Sequence, residues 1–452
     1  MGSEVHVLLA LLSFAAAEDA PADRYILGSY GRAQASSDLS GGRGESVNVV
    51  AYGPRLEASP YAEIDLGFQH VADGATRFSA LITPAIAGDL FHYDGQWDAD
   101  LAVRNLYAMA ELDRGPGTLT AWAGSRMYRG DDVYLLNFWP LDMLNTLGGG
   151  LGYGDERFEV AAHVGFNRVL GQDFQLQTWA RPEPGGVGEQ DVVVLDRQRR
   201  IASLKGHYQL PVGERLTLRA KAYGELHHLA EGTRLVDDEF EQALPEDIGA
   251  AVGLQLSAWG WAPHSYAHLF YKRSSGLAAY GELSIPSSGL APDYTVAAAR
   301  EEMFALALNQ EIAERVSWSA GAYVRGFTDA DGQELDVDDR WELALATRPI
   351  VNIGQYVGLG IEASHQWLRP NGLNPRTEQH DVPQVTKLSL LPMLKPAPNT
   401  FARPMIHLTY TVSLLNEDAL AWYDPLDQRA SSQVQHFVGL GAEWWMNSQS
   451  YR

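Results

Sequence analysis

The stretch ERLTLRAKAYGEL, residues 214–226, alternates with a period of two. Leu216, Leu218, Ala220 and Ala222 fall on one face, and Arg215, Thr217, Arg219 and Lys221 on the other. Successive side chains of a β-strand point to opposite sides, so this is a strand with one apolar face and one charged, wet face. PMIHLTYTVSLL, residues 404–415, repeats the pattern. There Ile406, Leu408, Tyr410, Val412 and Leu414 oppose His407, Thr409, Thr411 and Ser413. Similar runs recur from Tyr25 to Met446, among them YAEIDLGF, FEVAAHVGF, EEMFALALNQEI, VSWSAGAYVRGF and WELALATRPIV. Turn-forming VGER, ADGQ, RPNGLNP and PAPN separate them. The chain reads as all-β.

Its 452 residues are enough for two or three domains by length alone. No composition break or low-complexity linker marks a boundary, however, and one continuous unit accounts for that better. The N-terminal run VHVLLALLSFAAAED is too short to cross a bilayer as a helix, which takes about 20 residues. It suits a signal peptide over residues 1–17, although that region lacks Lys and Arg, and it leaves 18–452 as the mature chain. No other run approaches a transmembrane helix. An exported chain of alternating strands is then either a soluble β protein or a membrane barrel. A closed barrel satisfies its backbone internally and can turn an apolar face to lipid. With strands of about 10 residues, short turns at one end and longer loops at the other, the chain holds roughly 16 to 18 strands. The soluble alternative, a sandwich or propeller array, finds no blade-length repeat in its favour. The 12 Trp and 20 Tyr fit interfacial girdles and a soluble core equally.

A formal net charge of −23 argues against nucleic acid, whose phosphates need a surplus of Lys and Arg. With no cysteine, disulfides and thiolate chemistry are excluded. GGGLGYG, Gly148 to Gly154, lacks the spacing of a dinucleotide fingerprint and reads as a flexible loop. TDADGQELDVDD would place Phe327 at the first ligand position of a calcium loop, so it reads as an Asp-Gly turn. His227 and His228 point to opposite faces of a strand and cannot share a metal well. No GxSxG, HExxH or P-loop occurs, and nothing points to an enzyme, a cofactor or a metal.

The most specific stretch is TLTAWAGSRMYRGDDVYLLNFWPLD, Thr118 to Asp142. It opens as a strand, packs Arg126, Arg129, Asp131 and Asp132 into seven positions, and ends in an apolar, aromatic run broken by Pro140. It resembles the strand and inward-folded loop of the maltoporin family of sugar-specific outer-membrane porins. GSYGRA, SPYAEIDLG, ATRPI, FARPMIHLTYT and GAEWW resemble further family segments in the same order along nearly the whole mature chain.

The resemblance implies a transmembrane antiparallel β-barrel of 18 strands with an inward-folded constriction loop, assembled as a homotrimer in outer-membrane lipid. It implies facilitated diffusion of maltodextrins or related oligosaccharides. Flat aromatics offer area to the apolar face of a sugar ring, and charged groups replace the water around its hydroxyls. Several weak sites in sequence let the sugar enter and leave. By the same resemblance the aromatic slide comprises Trp97, offered by a neighbouring subunit's loop, then Tyr61, Tyr30, Tyr266 and Phe401, with Trp445 at the exit. The polar tracks comprise Arg32, Arg55, Glu63, Arg104, Arg129 and Asp132, while Arg126 looks more like strand scaffold.

Departures from the family pattern concentrate at the constriction. Gly130 stands where the family has an arginine, with Arg129 one position earlier. Asn137 replaces an aspartate and Trp139 a tyrosine. Loss of the arginine widens the pore and the tryptophan narrows it. The first long loop is shorter than in some relatives and lacks their cysteines, and seven residues follow Trp445 where family chains end on aromatics. These departures keep two other readings open: a general diffusion porin of the same fold without sugar affinity, and an exported soluble carbohydrate-binding β protein.

Overall fold

The computed structural model describes residues 23–72, 74–88, 100–168, 176–182, 189–195, 198–236, 240–281, 291–332 and 337–448. The expected leader, residues 1–17, and Trp97 lie outside them. Eighteen strands form one sheet. They are β1 (Arg24–Ser37), β2 (Tyr61–Val71), β3 (Thr76–Ala87), β4 (Asp100–Arg114), β5 (Gly117–Arg129), β6 (Met143–Gly154), β7 (Phe158–Arg168), β8 (Gln198–Val212) and β9 (Leu216–Leu229). They continue with β10 (Asp247–Trp259), β11 (Tyr266–Gly276), β12 (Arg300–Ala313), β13 (Val316–Thr328), β14 (Arg340–Ile353), β15 (Val357–Pro370), β16 (Gln384–Leu394), β17 (Met405–Leu415) and β18 (Val434–Met446). Each pairs antiparallel with its sequence neighbour, and β18 returns to β1 with Tyr30 opposite Trp445. The sheet therefore has no free edge. The strands satisfy one another's backbone groups around the ring, as a hydrocarbon surround demands.

The alternation read from residues 214–226 is inverted relative to a soluble protein. Leu218 and Leu226 face outward at 41% and 61% exposure, while Lys221 and Tyr223 face inward at 8% and 4%. Ile406, Leu408 and Leu414 are likewise exposed, and Thr409, Thr411 and Ser413 are buried. An apolar exterior around a polar interior is the arrangement of a barrel in lipid and excludes the soluble alternative. The odd-numbered connections are long and the even-numbered ones mostly short, so the barrel has a long-loop rim and a short-turn rim. At the short-turn rim Gly213 and Gly354 take φ of 68° and 73°, values that side-chain-bearing residues reach only with strain.

Two local features shape the wall beside the lumen. GGGLGYG is not a flexible loop but the C-terminal half of β6. Gly150 is needed because the Trp122 indole lies against it: a Cβ there would stand 2.5 Å from Trp122 Nε1. The second feature is a bulge in β4. Thr83 pairs with Asn105 and Pro84 with Val103, leaving Arg104 as an extra residue. Pro84 has no N–H to give the ladder, and the extra residue opposite takes up the mismatch. Val103 and Leu106 then both face lipid, while Arg104 and Asn105 are turned toward the interior.

Leu254 lies mid-strand on the lipid face of β10 and is 57% exposed. Leu254→Arg is expected to cost about 2–4 kcal/mol of folding free energy. Urea titration of folding into lipid vesicles checks this, and an unchanged midpoint would contradict the lipid-facing assignment.

Candidate functional site

The third long loop, residues 130–142, folds into the barrel rather than over its rim. Its apolar side chains Val133, Tyr134, Leu135, Leu136, Phe138 and Leu141 pack on the inner wall against Tyr223, Phe270, Met303, Ala305, Ala307, Tyr323, Ala344 and Ala346. Small residues in the wall make room for it. A Cβ on Gly253 would come within 2.3 Å of Leu141 Cδ2, and one on Gly321 within 2.8 Å of Val133 Cγ1. A short 3-10 turn, Tyr134–Leu136, ends at Asn137, which adopts a left-handed φ of 52°. Asparagine tolerates that conformation better than most side chains do.

The first long loop, residues 38–60, also enters the barrel. Its backbone N–H groups donate to side chains on β13 to β15: Val49 to Gln366 Oε1 at 2.9 Å, Ala51 to Glu342 Oε2 at 3.2 Å and Tyr52 to Tyr323 Oη at 3.3 Å. Lys387 Nζ donates to Glu57 Oε2 at 2.6 Å. The two loops hold each other. Tyr52 stacks on Phe138 with ring centroids 4.5 Å apart, and Arg55 N–H donates to Leu135 O at 3.2 Å. The constriction is a joint product of both.

Beside it runs a row of aromatic rings. Tyr61 lies 5.9 Å from Tyr30, Tyr30 faces Trp445 across the β1–β18 ladder, Trp445 lies 6.5 Å from Phe401, and Phe401 lies 6.1 Å from Tyr266. Tyr61 opens β2 beneath a long loop, whereas Phe401 and Tyr266 border short-turn connections, so the row descends the wall. Two cavities of about 900 Å³ and 990 Å³ adjoin it and share Asp131, Arg219 and Phe401.

Charges line the lumen, and most are matched. Asp142 lies 2.8 Å from Lys205 Nζ and 3.5 Å from Lys221 Nζ. Glu301 lies 3.0 Å from Lys272 and 2.6 Å from Arg325, and Glu362 lies 2.7 Å from Arg348. Glu443 pairs with both Arg55 and Arg403, and Asp131 with Arg219. Removing one partner of such a pair leaves a buried charge uncompensated, which is why the matching is so complete. Asp132, in the third loop, differs. Burial pushes its carboxyl up to about 6, against the pull of Arg55.

The LamB porin family matches this sequence over residues 27–445. The chain belongs to the LamB porin family. Its members are channels rather than enzymes, and this one is an outer-membrane, multi-pass β-barrel. Among curated proteins none matches it in sequence. Solved structures similar in fold include the trimer form of OmpT from Vibrio cholerae, at 11% identity and a TM-score of 0.44, covering 94% of this chain and 100% of that one. OccD3 (OpdP) of Pseudomonas aeruginosa is similar at 9% identity and a TM-score of 0.44, covering 94% and 91%. OmpF of Salmonella typhi, in complex with daunomycin, is similar at 9% identity and 0.37, covering 94% and 98%.

Within this LamB porin the expected site residues fall into three groups. Tyr61, Trp445, Phe401 and Tyr266 form the half-buried rings of one row, but Trp445 lies between Tyr30 and Phe401 rather than at its end, which is Tyr266. Tyr30 is 5% exposed. Its hydroxyl accepts from Arg55 Nη2 at 2.9 Å and Arg32 Nη1 at 3.3 Å, so it is a hub behind the row more than an open platform. Arg32 and Arg104 flank Tyr61, with guanidinium carbons 5.8 Å and 5.7 Å from the ring centre, and Glu63 accepts from the Tyr61 hydroxyl at 2.7 Å. At the constriction, Arg129 lies on the face of Trp139 at 3.8 Å. It does not occupy the place an arginine at Gly130 would take. A Cβ on Gly130 would meet Leu141 O at 2.9 Å and Lys221 Nζ at 3.1 Å, so Lys221 from β9 already fills that space. Trp139 is 9% exposed, with most of its ring packed away from the open lumen.

Sequence reasoning missed Tyr134, Tyr52, Arg403 and Glu443. Tyr134 lies 5.4 Å from Phe401, beneath Arg55 at 4.7 Å, and accepts from Arg403 Nη2 at 2.6 Å. It joins the loop to the aromatic row. Its position in the quoted stretch, two residues past the charge cluster, was the available signal.

Gly253→Val is expected to push the third loop off the wall into the lumen and lower single-channel conductance, with Gly253→Ala intermediate. Unchanged conductance in planar bilayers would refute the seating. Because Asp132 loses its proton only above about pH 6, acidification from pH 7 to 5 removes a negative charge from the waist. Reversal potentials should shift toward anions over that interval, and Asp132→Asn should abolish the shift.

Proposed function

We propose that this porin mediates facilitated diffusion of maltodextrins or related oligosaccharides across the outer membrane. The observation that carries this reading is the descending row of half-buried rings Tyr61, Trp445, Phe401 and Tyr266, with Tyr30 seated behind it, flanked by guanidinium and carboxylate groups. Rings in line offer successive, similar contacts to the apolar faces of sugar units. The charged borders exchange hydrogen bonds with the hydroxyl rims. No single contact needs to be strong, and a ladder of equal weak sites favours passage over trapping.

The working unit is a homotrimer, released from a leader at residues 1–17, with Trp97 reaching a neighbouring subunit's lumen; the family assignment supports these readings. A general diffusion porin is the competing function within the same fold. Conductance of the purified protein in a planar bilayer, titrated with maltohexaose and then sucrose, separates the two. Saturable block supports the sugar channel, and open pores that neither sugar blocks overturn it. Phe401→Ala should weaken maltohexaose binding by about 1 kcal/mol, several-fold in half-blocking concentration. Tyr61→Ala should act in the same direction, read as current noise from sugar exchange.

A further inference from the structure

Three lumenal arginines escape the charge matching of the wall. Arg32 donates to Ser59 O at 2.8 Å and to the Tyr30 hydroxyl at 3.3 Å. Arg104 reaches only Met127 Sδ, at 2.9 Å, besides lying over Tyr61. Arg126 rests among three rings, 5.2 Å from Tyr107, 5.5 Å from Trp122 and 5.0 Å from Tyr128. Among the described residues none of the three has a carboxylate at ion-pair distance. Their contacts are neutral oxygens, a thioether and aromatic faces, none of which cancels a positive charge.

The three stand together. Arg32 and Arg104 border Tyr61 from β1 and β4, and Arg104 touches the residue after Arg126 on β5. The nearby carboxylates are mostly engaged elsewhere. Glu111 lies 3.4 Å from Arg77, Glu159 faces Lys205 at 4.0 Å and His207 at 3.7 Å, and Asp142 is held by Lys205 and Lys221. Glu63 sits buried behind the Tyr61 hydroxyl, Asp65 is buried and accepts from Thr83 Oγ1 at 2.5 Å, and the charge of Asp132 acts on Arg55 and Arg129. In a chain of net charge −23, these three guanidinium groups on one wall of the lumen make no ion pair with a carboxylate among the described residues.

We propose that the strip Arg32, Arg104 and Arg126 makes this channel prefer oligosaccharides that carry an oxyanion, such as uronic-acid units, over neutral sugars of the same length. This rests on the sugar-channel reading and narrows its substrate class. A guanidinium presents a planar fork that matches a carboxylate or phosphate in two hydrogen bonds. The rings under Arg104 and Arg126 give the pyranose an apolar seat beside that fork. The oxyanion replaces water at a cation that already lies out of bulk solvent, where the attraction is stronger than at an open surface.

Block of single-channel current by trigalacturonate and by maltotriose, with glucose 6-phosphate against glucose as a second pair, tests the proposal. At about 0.1 M salt, trigalacturonate should half-block at a concentration about tenfold below maltotriose, and the advantage should shrink toward parity at about 1 M as screening tightens. A preference in the phosphate pair alone would still support the strip and assign phosphate as the oxyanion. The Arg104→Gln, Arg126→Gln double variant should lose the preference, and the corresponding Lys double variant should keep most of it. If the Gln variant does not form pores, the salt titration of the unaltered protein decides alone. Equal block by charged and neutral sugars at low salt overturns the charge preference and leaves the sugar channel standing. Block by none of them overturns both.

Discussion

Hydrocarbon offers a peptide group no hydrogen-bond partner, and the rest of this structure follows from that lack. The sheet has to close, and it does so where Tyr30 meets Trp445. Closure assigns one face of every strand to lipid and the other to the lumen, so charges in the middle of the strands are driven inward, and outward ones such as Glu302 and Arg369 lie near strand ends. Crowded there, charges cannot be left single without cost, and the wall answers with pairs that reach across strands, such as Arg348 with Glu362 and Lys272 with Glu301.

Closure alone would leave a wide tube. The two inward loops fill it by different means. The third loop brings an apolar surface and finds alanines and glycines opposite it, a packing solution. The first loop brings bare backbone and finds side-chain acceptors already aimed into the lumen, a hydrogen-bonding solution. Where the lumen remains open, aromatic rings lie against guanidinium groups, as Arg403 does over Trp445 at 4.2 Å. That juxtaposition sets flat apolar faces beside charged edges along the open path.

Much of this was legible in the chain. Period two over Leu216 to Leu226 assigned both faces correctly, because lipid and lumen impose a binary choice at each position. The third loop was legible because its charges and aromatics occur in one short stretch. The first loop was not: its partners Glu342, Gln366 and Lys387 lie about three hundred residues away, and SVNVVAYGPRLEASP has no period to announce a fold. Arg104 was assigned to the lumen by the family resemblance alone, and the bulge that turns it inward was hidden because its cause, Pro84, sits on the neighbouring strand. Order along the aromatic row was misjudged at Trp445, because the ladder that sets its height is formed by the two ends of the chain. The reading of Gly148 to Gly154 as a loop failed for a plainer reason: glycine marks both free backbone and backbone crowded by a neighbour, and here the neighbour was Trp122.

The interlock of Tyr52 with Phe138, and of Arg55 with Leu135, makes the waist of the channel a single inherited unit. A lineage that changes its diet cannot exchange one of these loops and keep the other, because each is the other's mould. Transplanting residues 130–142 alone into a related barrel would carry the side chains but lose their shape. A change of selectivity would call for paired exchange of both loops, or for single changes on the wall outside them, where Arg32, Arg104 and Arg126 stand.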